Sequence, residues 1–226
     1  MTDYQNLAAE AVGTFTLIFV GVGAVVASGN TDTVAIALAH GIAFAVMVST
    51  LGHVSGGLFN PALTIGLWAT RRLSAMDTGL YVAAQLAGGI LAAILLVLLL
   101  PQQMRDLVNL GTPALADGVN FAQGVGIEAI LTAFLMLAVF GTSIDSRAPR
   151  MGGLFIGLVL VMDIAAGGRL TGAALNPARA IAPALASGTF GDQLVYWIGP
   201  ILGAVGGAAL YEYVFIPEEE RATVAP

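Results

Sequence analysis

The sequence predicts an all-α membrane protein with six transmembrane helices and two short re-entrant half-helices, arranged as an inverted internal repeat. Three observations lead to this prediction: the composition, the length of the uncharged stretches and a duplicated motif. Of 226 residues, 58% are hydrophobic and only 10% are charged, which is far from the composition of a soluble domain. Residues 33–70 and 78–104 contain no Asp, Glu, Lys or Arg. About 20 apolar residues suffice to cross a bilayer as a helix, so these stretches indicate membrane spans.

Six apolar segments are predicted to be spans: Tyr4–Ala27, Val34–Leu51, Gly79–Leu100, Val119–Gly141, Met151–Ala166 and Gln193–Phe215. Two further apolar segments, Pro61–Ala69 and Pro177–Ala186, are shorter. As helices they would extend about 15 Å, which is half of the bilayer core. We therefore expect each of them to enter the membrane and return to the side from which it came.

The chain also repeats itself. Asn60-Pro61-Ala62 recurs as Asn176-Pro177-Ala178 after 116 residues, while Glu10/Thr14 with Glu128/Thr132 and Gly88/Gly89 with Gly206/Gly207 match at an offset of 118. The matches divide a single membrane domain, 1–226, into pseudo-repeats of about 1–110 and 119–226. Each half has three spans, an odd number, so the second half must be inverted relative to the first. Such an architecture places its functional site near the membrane midplane, between the halves.

Each Asn-Pro-Ala motif has the chemistry of a helix start. Asn is a strong N-cap, and Pro is favoured at the first helical position because its missing N–H is not needed there. Inverted symmetry brings the two half-helix N-termini together, each with roughly half a positive charge. Their field would repel cations and protons. The side-chain amides of Asn60 and Asn176 would donate hydrogen bonds to a small molecule passing between them.

Two carboxylates, Glu10 and Glu128, occupy equivalent positions inside predicted spans. Carboxylates within a membrane are costly and suggest a function by default. Two interpretations are open at this point. Each carboxylate could accept hydrogen bonds from the loop that precedes a half-helix, or the pair could relay protons in a coupled transporter.

The two loops resemble those of a known family. Residues 52–64, Gly-His-Val-Ser-Gly-Gly-Leu-Phe-Asn-Pro-Ala-Leu-Thr, are similar to the first pore loop of the aquaporin, or major intrinsic protein, family, and residues 170–179, Leu-Thr-Gly-Ala-Ala-Leu-Asn-Pro-Ala-Arg, are similar to the second. The resemblance covers essentially the whole chain. It implies a passive water channel in the lipid bilayer, a homotetramer with one pore per subunit, and a loop-supporting role for Glu10 and Glu128.

The family's narrowest point is formed by four side chains near the outer mouth. By resemblance they correspond here to His40, Ile164, Ala173 and Arg179. This set is similar to that of plant vacuolar-membrane aquaporins and of animal aquaporin-8. It implies passage of water and ammonia, with hydrogen peroxide and urea as further candidates, and exclusion of protons and ions. The alternatives are a proton-coupled secondary transporter that uses Glu10 and Glu128, and a structural membrane protein with a closed pore.

Other classes are disfavoured by the residues that the chain lacks. It has no cysteine and no lysine, and its scattered arginines form no nucleic-acid patch. No catalytic triad, metal-ligand cluster or phosphate loop is evident, so we expect neither enzymatic activity nor a cofactor or metal.

Arginine placement predicts the orientation. Five arginines fall on one side of the six-span arrangement and Arg105 falls on the other; the five are Arg71, Arg72, Arg147, Arg150 and Arg221. The positive-inside rule places these five and both termini in the cytoplasm. The predicted location is the plasma membrane.

Overall fold

The computed structural model describes residues 3–149 and 151–221, and within them all regular structure is helical. The α-helices are α1 (Tyr4–Ser28), α2 (Thr33–Ser55), α3 (Pro61–Ala69), α4 (Ala75–Leu99), α5 (Gln102–Leu107), α6 (Phe121–Val139), α7 (Gly152–Gly167), α8 (Pro177–Ser187) and α9 (Val195–Leu210). Short π turns, Phe140–Ile144 and Tyr211–Phe215, extend α6 and α9.

The predicted fold class is confirmed. Helices α1, α2, α4, α6 and α9, the last two with their π turns, are long and apolar enough to cross a membrane, and α7 is a shorter apolar helix of 16 residues. The half-helices α3 and α8 begin at the two predicted prolines.

Several boundaries differ from the prediction for local reasons. Helix α4 begins four residues earlier than predicted because the Ser74 hydroxyl caps it, accepting a hydrogen bond from the Asp77 N–H at 3.1 Å. Helix α2 continues to Ser55 and ends where Gly56 takes a φ of 92°. Helix α5 and the 3₁₀ turn Asn109–Gly111 were not predicted, because elements this short leave no periodic pattern in a sequence.

Small residues let the spans pack at backbone distance. A Cβ added to Gly88 of α4 would overlap the carbonyl of Ala11 in α1, and one added to Gly203 of α9 would overlap that of Ala129 in α6. The structural equivalent of Gly88 is therefore Gly203. The match of Gly88 with Gly206 was wrong, since a Cβ on Gly206 would meet nothing within 4 Å. Close approach of this kind is how helices associate in membranes.

Contacts near the C-terminal end of α9 gather three of the five arginines that the sequence predicted to lie on one side. The Arg72 Nε lies 2.6 Å from a carboxylate oxygen of Glu212. Arg147 donates to the carbonyl of Phe215 at 2.7 Å, and Arg221 donates to that of Tyr213 at 2.8 Å. Arg150 lies outside the described residues.

Candidate functional site: a pore between two half-helices

The two Asn-Pro-Ala motifs meet inside the protein and bind each other. The Asn60 Nδ2 donates to the carbonyl of Leu175 at 2.9 Å, and the Asn176 Nδ2 donates to the carbonyl of Phe59 at the same distance. Each side-chain oxygen accepts from its own helix, from the N–H of Ala62 and of Ala178 respectively, at 2.9 Å. The predicted N-caps are thus present, and the N-termini of α3 and α8 face each other.

The residue ahead of each motif has an unusual backbone conformation. Phe59 has a φ of 47° and Leu175 a φ of 53°, in the left-handed region that non-glycine residues rarely adopt. Ala173, two residues earlier in the second loop, has a φ of 41°. Such strain persists only where surrounding contacts hold it, and it concentrates at functional sites.

Glu10 supplies those contacts for the first loop. Its side chain is fully buried. One carboxylate oxygen accepts from the Ser55 hydroxyl at 2.6 Å and the Leu58 N–H at 3.1 Å, and the other accepts from the Phe59 N–H and the Gln85 amide, both at 2.7 Å. Four donors therefore satisfy this carboxylate.

Glu128 does the same for the second loop and is also fully buried. It accepts from the Thr171 hydroxyl at 2.6 Å, the Ala174 N–H at 3.0 Å and the Leu175 N–H at 2.8 Å. These contacts are the ones that a loop-supporting role requires.

The four predicted constriction residues line one narrow cavity, and Asn60 and Asn176 line it as well. A larger vestibule adjoins it, shares Ile164 and Arg179 with it, and has Arg169 on its wall. The structure thus brings these six predicted residues together around one cavity.

The two polar residues of the predicted constriction are both buried, at 3% exposure for His40 and 5% for Arg179. The Arg179 Nη1 donates to the carbonyl of Gly111 at 2.9 Å, which fixes the guanidinium. The His40 Nδ1 lies 2.9 Å from the carbonyl of Ile36, whereas its Nε2 has no partner among the described residues. A carbonyl can only accept, so Nδ1 carries the proton, and in the neutral ring Nε2 then presents a lone pair.

Sequence reasoning missed part of this site. Leu17, Phe44, Leu135 and Leu160 also line the cavity, but nothing in the sequence distinguishes them from other span residues. Gln85 is different, because a lone amide in the apolar stretch 78–100 is a signal that was available. Asp163 is fully buried, and neither carboxylate oxygen has a partner in the described part of the chain.

Comparison with known proteins decides the family. A family model described as major intrinsic protein matches residues 1–211. The chain belongs to the major intrinsic protein family. It is 43% identical to aquaporin TIP4-4 of Zea mays, with 93% of this chain and 86% of the relative covered. It is 40% identical to nodulin-26 of Glycine max (93% and 78%) and 36% identical to aquaporin-2 of Rattus norvegicus (92% and 78%).

A solved structure supports the fold. The aquaglyceroporin from Plasmodium falciparum superposes with a TM-score of 0.79 at 22% identity, covering 93% of this chain and 96% of that one. This member of the major intrinsic protein family is thus a multi-pass integral membrane channel for water and small solutes, and it is not an enzyme. The relatives do not support the predicted location in the plasma membrane in particular.

Proposed function

We propose that this channel conducts water and ammonia in single file, admits hydrogen peroxide and urea as secondary solutes, and excludes protons and ions. The observation that carries the proposal is the constriction of His40, Ile164, Ala173 and Arg179. It pairs one hydrogen-bond acceptor with one fixed cation, and its other two members are aliphatic. None of the four is Phe, Tyr or Trp.

Selection for ammonia follows from hydrogen-bond chemistry at this constriction. Ammonia and water can each donate to the His40 Nε2 and accept from Arg179. Ammonium has no lone pair with which to accept, and the guanidinium charge repels it. The fixed charge of Arg179 is also a barrier to other cations.

Proton exclusion is assigned to the Asn pair. Each side-chain amide has two N–H groups, and one is used between the loops. The second N–H of Asn60 and of Asn176 is available to a passing water. A water oxygen that accepts from both would turn its own hydrogens away along the pore, and the two half-helix dipoles oppose positive charge at the same place.

The rival function, proton-coupled transport through Glu10 and Glu128, is not favoured. All four oxygens of the two carboxylates accept hydrogen bonds from the protein. A relay group needs a free position at which to exchange its proton with a permeant. We therefore propose that both carboxylates support the pore loops.

Stopped-flow measurements on proteoliposomes test the proposal. Wild-type protein should raise osmotic water permeability and ammonia uptake above those of empty liposomes. Arg179→Ala should admit larger or charged solutes that the wild type excludes, because the fixed cation is lost. Arg105→Ala, a change outside the constriction, is the matched control. Folded wild-type protein without added permeability, or unchanged selectivity in Arg179→Ala, would overturn the assignment.

We further propose a single domain over 1–226 with pseudo-repeats of about 1–110 and 119–226, a homotetramer, and cytoplasmic termini. Because the chain has no cysteine, single-cysteine variants report orientation with a membrane-impermeant maleimide. Gly191→Cys should react from outside intact cells and Ser146→Cys only after lysis. The reverse labelling pattern would show that the termini are on the outside. Chemical cross-linking in native membranes tests the tetramer.

A further inference from the structure

The ring of His40 lies directly against the backbone of Gly21 in α1. A Cβ built on Gly21 would overlap three ring atoms, Cδ2, Nε2 and Cε1, the last at 2.7 Å. Ordinary contact for a Cβ begins at about 3.4 Å. Any side chain at Gly21 would therefore displace the ring by more than half an ångström.

The backbone of α2 has little freedom to absorb this displacement. Gly41, the next residue along α2, is packed against α7 so closely that its own Cβ would meet the carbonyl oxygen of Gly157 at 2.5 Å. Helix α2 thus packs tightly against α1 at His40 and against α7 at Gly41. Since the ring is the end of a side chain and can rotate, we expect the ring to move rather than the α2 backbone.

The direction of movement is set by the space around the ring. Its Nδ1 is tied to the carbonyl of Ile36, and Nε2 makes no hydrogen bond in the described structure. The side chain borders the cavity that it shares with Ile164 and Arg179. This cavity is the space into which the ring can turn.

We propose that Gly21 is a positioning residue for the selectivity of the channel: by lacking a side chain, it lets the His40 ring lie back against α1 and thereby sets the width and the acceptor geometry of the constriction. The proposal rests on the assignment of the constriction made above. It predicts that one methyl group on α1 changes which solutes pass, although Gly21 itself is not among the residues that line the cavity.

The test compares Gly21→Ala with Gly23→Ala, a matched control on the same helix. A Cβ on Gly23 would meet only a Leu96 methyl at 3.7 Å. In proteoliposomes, Gly21→Ala should lower ammonia permeability about fivefold, equivalent to ~1 kcal/mol or one hydrogen bond, and should lower urea permeability further than water permeability. Gly23→Ala should resemble the wild type. Equal behaviour of the two variants would overturn the proposal.

A double-mutant cycle shows whether Gly21 acts through His40. In a His40→Ala background, Gly21→Ala should have no further effect on permeability, and additive effects would refute the proposal. If Gly21→Ala alone fails to fold because its methyl group overlaps the His40 ring, the double variant should recover folded protein. Failure to recover it would contradict the proposal. If His40→Ala leaves selectivity unchanged, the assignment of the constriction fails separately.

A readout independent of conduction completes the test. The chain has two histidines, so the ring ¹⁵N signals of His40 can be assigned by solid-state NMR with His53→Gln as reference. These signals should shift in Gly21→Ala and stay in place in Gly23→Ala. Unmoved signals in Gly21→Ala would overturn the proposal whatever the permeability.

Discussion

The contacts of Glu128 predict a graded response to its replacement. In Glu128→Ala, the N–H groups of Ala174 and Leu175 lose their acceptor inside the protein. A buried donor left without a partner costs ~1–3 kcal/mol, so the loss should be about 2–6 kcal/mol in the free energy of unfolding. The strained second loop would then relax, and water permeability should fall with it.

Glu128→Gln should be milder. If its side-chain oxygen faces Leu175 and its amide group faces Thr171, the Thr171 hydroxyl can turn and accept, so Ala174 is the only backbone N–H that loses its partner. The expected loss is about 1–3 kcal/mol. A proton relay predicts otherwise, because Ala and Gln are equally unable to carry a proton.

The assay is the free energy of unfolding in mixed micelles, combined with water permeability and pH-driven uptake in proteoliposomes. Asp163→Asn is the matched control, since it removes a buried carboxylate of the same half whose oxygens accept no hydrogen bond in the described structure. It should leave the loop intact. The reasoning is refuted if Ala and Gln at position 128 both keep wild-type stability and permeability while abolishing a pH-driven uptake.

Two further predictions concern packing and pH. Gly88→Ala should destabilise the protein by about 1–3 kcal/mol by overpacking, because its Cβ would meet the Ala11 backbone; thermal unfolding should show little change for Gly79→Ala, whose Cβ has nothing within 4 Å. Hydrogen bonds from Arg147 hold the pKa of Asp145 well below its usual range, so the stability that this pair adds is present above about pH 4 and is lost as the pH falls towards the lowered pKa. Hydrogen exchange should show that the segment around Asp145 and Arg147 opens in acid. In Arg147→Ala the same segment should exchange rapidly already at neutral pH.

The sequence predicted the elements of this fold because each has a strong local cause. The length of the stretches without charged residues identifies the spans, and an Asn followed by Pro identifies the start of each half-helix. The predicted half-helix Pro61–Ala69 agrees with α3 at both ends. The repeat was harder to align in α4 and α9, where the sequence paired Gly88 with Gly206 although its structural equivalent is Gly203. Glycine is common in this chain, and only the contact of Gly88 with the Ala11 carbonyl identifies its equivalent.

The residues of the proposed constriction could be derived from the sequence itself only in part, for a physical reason. His40 and Arg179 are polar residues in apolar surroundings and so are visible in a sequence. Ile164 and Ala173 are ordinary packing residues, and only the resemblance to a family selected them. The contact between Gly21 and His40 is a tertiary property with no sequence signal.

The pore loops are held by a reciprocal arrangement that accounts for their strain. Phe59 donates its N–H to Glu10, and its carbonyl accepts from Asn176 of the other loop. Leu175 likewise donates to Glu128, and its carbonyl accepts from Asn60. Each left-handed residue is thus fixed on both sides of its α-carbon, once by its own half and once by the opposite half. Since neither loop is complete without the other, the fold itself sets the spacing of the two Asn amides, as the proposed single-file passage of water requires.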